Sequence, residues 1–323
     1  VEVSQLIWDG GKTAAAKDFN EISSQIKMIS NDTELLKLNE LINGLYLNAL
    51  LLEENKNTLE VMLESLNEKR RQINSAFENG VMLKSDLNSI DIEIIKLKQE
   101  IRAVISDRKA VMKMLETHTG LEVQNAELQY PVVEADSAAT SRPEYELFAL
   151  KKKSFKKQQE IIHTNYFPKV SAFIQAGYGK PNPVNFISDE FESFYKAGVQ
   201  FSWDIWSWNK HKREKQIAEI EVNSTSLDER NFSKNLNAAM IKSREDIDKI
   251  TEMIRSDKKI IELREQNTEV VFSKFSNGTA ASTEYVTEQN RLKKAKLDLN
   301  VHKLRLIEAK LDYLNKSGKF YRE

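Results

Sequence analysis

The sequence predicts a mainly helical fold in which long coiled-coil hairpins join a few antiparallel strands, and three observations carry that expectation. Residues 1 to 120 match residues 199 to 318 without a gap, each residue n meeting residue n + 198. Leucine and isoleucine recur every seven residues through the copies. Between the helical stretches lie short segments in which apolar and polar residues alternate with a period of two.

Composition narrows the function classes. The 323 residues carry 48 Lys and Arg against 49 Asp and Glu, a formal charge of −1, so bulk charge supplies no hold on nucleic acid. Ten glycines and five prolines are too few for the turns of a compact α/β enzyme. The absence of cysteine removes disulfide frameworks, thiolate zinc sites and cysteine nucleophiles together. No apolar run approaches the ~18 residues of a membrane-spanning helix, and no signal peptide opens the chain. The first residue is Val1 and falls inside a strand-like segment, so a fragment or processed form lacking its true start is expected.

The duplication pairs Val1 with Val199, Ser4 with Ser202, Ile7 with Ile205, Trp8 with Trp206 and Lys12 with Lys210. Far downstream it pairs Phe77, Asn79 and Gly80 with Phe275, Asn277 and Gly278. Three regions follow: a first repeat over 1–120, a linker, helix and strands over 121–198, and a second repeat over 199–323. Each repeat reads as strand, very long helix, tight turn and returning helix.

In the first repeat Leu38, Leu45, Leu52, Leu59, Leu66 and Ile73 form one seam, and no proline interrupts residues 12 to 75. The returning helix answers with Leu87, Ile94, Ile101 and Leu115, and with Ile90, Leu97, Val104 and Val111 three residues on. The second repeat offers Tyr285, Leu292, Leu299, Leu306 and Tyr313, with Ala295, His302 and Ala309 beside them. Between the helices, Asn79-Gly80 and Asn277-Gly278 are helix-stop chemistry, because both residue types tolerate the left-handed conformation. Each corner is a plain hairpin turn or, given the duplication, part of one shared end surface.

The linker runs from Glu122 to Ser141, where Ser141 can cap a helix whose first turn holds Pro143 and which extends to about Tyr166. Phe167-Pro168 then opens a strand. Val170, Ala172, Ile174, Ala176 and Tyr178 alternate with Ser171, Gln175 and Gly177. In the next strand Tyr195, Ala197, Val199, Phe201, Trp203 and Ile205 alternate with Lys196, Gly198, Gln200, Ser202 and Asp204. One apolar and one polar face means a sheet separating two media. The chain has no further strands to form a second layer, so Tyr195, Val199, Phe201 and Trp203 are expected to face lipid and Lys196, Gln200, Ser202 and Asp204 a watery lumen. Trp203, Trp206 and Trp208 stand where an interfacial aromatic girdle would lie. So few strands cannot close a barrel, which implies several identical chains.

With these residues in place, the chain resembles the TolC-like family of outer-membrane efflux proteins over nearly its whole length. The resemblance rests on residues 1 to 12, VEVSQLIWDGGK, on Arg142-Pro143-Glu144, on Tyr166-Phe167-Pro168 leading to Gly177-Tyr178-Gly179, and on Phe275-Ser276-Asn277-Gly278-Thr279. It implies a homotrimer in which each complete subunit gives four strands to a transmembrane β-barrel continued by a helical α-barrel through the periplasm. The chain begins at the match to the family's second strand, so the leading helix and first strand are expected to be missing. The proline usual near the end of the second and fourth strands is Leu6 and Asp204 here, and the double glycine after the fourth is Trp208-Asn209. The resemblance further implies a Gram-negative outer-membrane duct of a tripartite efflux or type I secretion system, partnered by a periplasmic membrane-fusion adaptor, an inner-membrane transporter and outer-membrane lipid.

Within that family the hairpin corners form the periplasmic tip. Adaptor docking would fall on Phe77, Asn79, Gly80, Phe275, Asn277, Gly278 and Thr279, and the acidic gate on Glu284 with Asp86 as its counterpart. The alternatives are a soluble periplasmic coiled-coil scaffold or adaptor-like protein, then, ranked last, an enzyme acting on a small substrate; for Glu284 alone the alternative is an ordinary solvated role. His118, His163, His211 and His302 are scattered without zinc-helix spacing, Met112 and Met114 form no metal relay, and no phosphate loop appears. No catalytic residue, metal site, cofactor or nucleic-acid partner is expected. The basic run Lys151, Lys152, Lys153, Lys156 and Lys157 reads as a solvated helix face.

Overall fold

A computed structural model describes residues 1–134, 142–180, 184 and 190–318. In chain order the elements are β1 (Glu2–Trp8), α1 (Lys12–Glu78), α2 (Lys84–Thr119), α3 (Pro143–Thr164), β2 (Lys169–Gly179), β3 (Glu192–Ser202), α4 (Lys210–Ser276) and α5 (Ser282–Ser317). The repeat is kept to the residue in the helices: the bounds of α1 and α2, moved by 198, are those of α4 and α5. It fails in the strands, since β1 runs to Trp8 whereas β3 stops at Ser202, four residues short of the matching Trp206.

Contacts divide the chain into two compact units, Val1–Glu34 with Arg142–Asn235 and Leu35–Ser141 with Leu236–Glu323. This partition cuts across the repeats, each unit taking part of both. The first unit holds the antiparallel sheet, in the order β1-β2-β3, together with α3. Pro143 occupies the first turn of α3 as expected, with Arg142 at the cap; Ser141 lies outside the described residues. The lysine run lies within α3, with Lys152 paired to Glu229 at 2.8 Å and Lys157 to Asp18 at 3.1 Å, while Lys151, Lys153 and Lys156 are exposed.

The second unit is built on the coiled-coil seams. Leu59, Leu66 and Ile73 of α1 join Leu87, Ile90, Ile94, Leu97 and Ile101 of α2 in one buried cluster. The seam is shorter than the heptads suggest: Leu38 is exposed and Leu36 is buried in its stead. On the returning helix Val104 is half-buried, while Val111, one heptad further from the corner, is buried again. Residues 121 to 134 are strapped across the helices. The Tyr46 hydroxyl donates to the Gln129 carbonyl at 2.7 Å and accepts from its N–H at 2.9 Å, Glu116 accepts from the N–H groups of Val123 and Gln124, and Lys310 reaches the Val133 carbonyl.

Candidate membrane-facing sheet and helical tip

In the first unit, register decides what each face of the sheet carries. Val3, Ile174 and Ala197 lie side by side, as do Ala172 and Val199, Ala176 and Tyr195, and Val170 and Phe201, so these apolar residues share one face. The opposite face groups Glu2 with Gln175 and Lys196, and Ser171 with Gln200. Tyr195, Val199 and Phe201 are 84%, 72% and 62% exposed, which removes any packed layer of the described residues from over them. Gln5, opposite Ala172, is a polar residue on the apolar face. Ile7 sits at a bulge between Leu6 and Trp8. Trp203 and Asp204 lie past the end of β3, so the strand alternation assigns neither of them a face; the Trp203 indole instead donates to the Tyr166 carbonyl at 2.9 Å.

Two aromatic residues on the polar face escaped the sequence reading. Phe173 pairs with Gly198 and Phe194 with Gly177, and a Cβ added at either glycine would stand 3.0 Å and 2.6 Å from the respective ring. Each ring therefore lies over a backbone left bare by glycine and is half-buried, in contrast to the outstanding side chains of the other face. Glycine inside an alternating strand was the available signal.

Where the sheet meets the helices the repeats part. Asp9 accepts from the N–H groups of Gly11 and Thr13, at 3.0 and 2.8 Å, and from the Thr13 hydroxyl, capping α1 after two glycines with positive φ. At the matching positions Ser207 replaces Asp9, while Trp208 and Asn209 keep the left-handed backbone with φ of 50° and 60°. For a tryptophan that conformation costs roughly 1–2 kcal/mol. Trp206 and Trp208 make an edge-on pair at 5.9 Å.

In the second unit the two corners are near copies. Gly80 and Gly278 have φ of 75° and 73°, each donating to the carbonyl of Phe77 or Phe275 at 2.9 Å. Val81 N–H reaches Ala76 and Thr279 N–H reaches Lys274, both at 2.9 Å, the double closure of a left-handed helix stop. Asn79 and Asn277 side chains each return to a carbonyl four residues back at 2.8 Å. Both corners enter one core: Met82 and Leu87 share their cluster with Phe272, Phe275 and Tyr285.

This corrects part of the expected docking set. Phe275 is 2% exposed and Phe77 is half-buried against the core, so they brace the corners from within. Asn79, Gly80, Asn277, Gly278 and Thr279 are exposed, as are Val81 and Leu83. The acidic pair also diverges. Asp86 accepts from the Leu83 N–H at 3.3 Å and so caps α2, whereas Glu284 is exposed in the first turn of α5, whose cap has no side-chain hydrogen bond.

A step further from the corner, Glu288 is buried between Arg264 at 2.7 Å and Arg291 at 3.2 Å. Burial pushes its carboxyl up, but the two guanidinium groups outweigh this and hold it below the ordinary glutamate value. His302 meets Asp257 at 2.5 Å across α4 and α5. Among the described residues no group of three or more His, Cys, Asp or Glu is placed to hold a metal, and no helix is long and apolar enough to cross a membrane.

No protein-family model matches the chain, nor does any curated protein. Solved structures do. The CmeC outer membrane channel of Campylobacter jejuni superposes with a TM-score of 0.76 at 14% identity, over 98% of this chain and 70% of its own. The outer membrane protein VceC of Vibrio cholerae gives 0.77 at 12%, over 98% and 78%. The MtrE outer membrane channel of Neisseria gonorrhoeae, in its open state, gives 0.75 at 12%, over 95% and 72%. Near-complete superposition on channels this distant in sequence rests on backbone course alone, and the chain has the fold of the TolC-like outer-membrane channels.

Proposed function

We propose that the chain is the subunit of a passive, trimeric outer-membrane exit duct serving a tripartite efflux or type I secretion system. The observation that carries this reading is the sheet, whose apolar side chains share one exposed face while its polar face holds Lys196, Gln175 and Gln200. Hydrocarbon on one side and water on the other satisfies both faces. Three strands are too few to enclose a lumen, and rotationally related copies that continue the sheet close it. Tyr195, Val199 and Phe201 then meet lipid, with Trp203 at the membrane interface, while Lys196, Gln200 and Ser202 line the passage.

In this reading the exposed corner residues take the periplasmic adaptor, which couples the duct to an inner-membrane transporter. Glu284 is the better gate candidate of the two acidic residues. Its carboxylate is exposed, and three copies around one axis would repel one another, favouring opening or a bound cation. Asp86 is committed to its cap. The chain's part is steric and electrostatic, and the driving energy comes from the transporter.

The test is planar-bilayer conductance of the detergent-purified protein, with its mass in detergent measured alongside. Trimers forming cation-preferring pores are expected, with Glu284→Ala weakening the preference. A monodisperse monomer that needs no detergent and conducts nothing would identify a soluble coiled-coil scaffold and end this reading.

A further inference from the structure

The junction between β3 and α4 breaks local rules that its counterpart in the first repeat obeys. The first repeat has Asp9, Gly10, Gly11 and Lys12, a carboxylate cap with glycines where φ is positive and one acid balancing one base. The second has Ser207, Trp208, Asn209, Lys210, His211, Lys212 and Arg213; neither α1 nor α4 carries an acid in its first turn, and only α1 has a capping carboxylate before it. Three cations thus crowd a helix start, where cations are unfavourable. Lys210 has Glu214 at 3.9 Å, while Lys212 and Arg213 are exposed with no acidic partner within 4.0 Å among the described residues. Beside them Trp206 and Trp208 stand 72% and 81% exposed, the latter on a backbone that glycine would adopt freely. An outstanding indole pair next to unpaired positive charge is complementary to a surface with an apolar and ester layer beneath an anionic one.

We propose that Trp206, Trp208, Lys210, Lys212 and Arg213 form a docking surface for the anionic head groups of a phospholipid leaflet, the indoles seated at the acyl-ester level and the cations at the phosphates. This rests on the membrane reading of the sheet, to which it adds a lipid preference confined to the second repeat. At the corresponding places the first repeat keeps Trp8, packed edge-on against Phe167, and Lys12, already in contact with Asn165 at 3.4 Å, but has Gly10, Ala14 and Ala15 in place of Trp208, Lys212 and Arg213.

The full chain, reconstituted in phosphatidylcholine with and without phosphatidylglycerol, tests it through two readouts: enrichment of phosphatidylglycerol among bound lipids, and quenching of tryptophan fluorescence by brominated phosphatidylcholine. Lys212→Gln and Arg213→Gln should each lower the enrichment about fivefold, with salt acting in the same direction. Trp208→Gly, which restores the first repeat's residue, should leave the enrichment in place and remove part of the quenching. Unchanged enrichment in the Lys212→Gln/Arg213→Gln double variant, with quenching intact, overturns the lipid preference alone. Competition by inorganic phosphate would make this a free-anion site and overturn it too. Absence of quenching in the wild-type protein would instead sink the membrane reading beneath it.

Discussion

The two hairpins, α1–α2 and α4–α5, share lengths and corner geometry yet fill their interiors differently. Leu66 and Ile90 of the first correspond to Arg264 and Glu288 of the second, so an apolar contact at one place is an ion pair at the other. The contrast runs on. Apart from Glu93, α2 buries only apolar residues, whereas α5 buries Ser282, Glu288, Asn300, Asn315 and Ser317 among its tyrosines and leucines. Asn300 donates to Asn55 and Thr58 of α1 at 3.2 and 2.9 Å, a polar contact in a seam of the kind that fixes register at some cost in stability. The lesson is that turn chemistry and helix length preserve a backbone through divergence while the interior is free to trade hydrophobic burial for directional bonds. An apolar seam is indifferent to pH; the part of the polar one held by Arg264 and Glu288 lasts only while its carboxylate is ionised.

Four measurements break or sharpen that contrast. The largest effect is expected at Ile90→Ala, which opens a cavity beside Leu66 and Ile73 and should cost about 3 kcal/mol in thermal or denaturant unfolding, independent of pH. Glu288→Gln, at the matching place, should cost about 2 kcal/mol at neutral pH by weakening its bonds to both arginines. The wild-type difference should vanish in acid. Because the folded state holds this carboxyl below the ordinary glutamate value of 4.5, its contribution is complete above that pH and is lost as pH falls through the lower folded value. Hydrogen exchange near the α4–α5 corner in wild-type and Glu288→Gln protein, compared at neutral and acid pH, reads this directly. If acid speeds α2 as much as α5, the contrast is wrong.

Third, replacing the pair with its first-repeat residues, Arg264→Leu/Glu288→Ile, should be neutral or stabilising by about 1 kcal/mol and should abolish the acid response. The smallest effects are at the caps. Asp86→Ala should cost about 1 kcal/mol through the lost bond to the Leu83 N–H, and Glu284→Ala less than about 0.5 kcal/mol. Equal losses at both would mean that Glu284 caps α5 after all.

Much of this was legible in the sequence because it is periodic or punctuated. Asn-Gly marks both corners, Pro143 marks the start of α3, and the alternation places Tyr195, Val199 and Phe201 on one side of their strand, as they lie in the sheet. What escaped depends on distant partners. Nothing near Phe173 announces that Gly198 will lie opposite it, and His302 reads as a seam residue until Asp257 is set beside it. Leu38 continues the heptad row yet is exposed while Leu36 is buried, an exchange that no heptad pattern states. Trp203 was placed on a face by extending an alternation beyond the last paired residue. Phe275 was placed on the surface by its proximity to a turn, although its ring points inward.

The strap over residues 121 to 134 sets a mechanical limit. Its fastenings to α1 and α5, at Gln129 and Val133, are four residues apart, so the tether between Tyr46 and Lys310 can draw taut at no more than on the order of 14 Å. Any sliding of one helix along the other that keeps both fastenings is confined to that span and the reach of the Tyr46 and Lys310 side chains, and a longer stroke must first unhook one end.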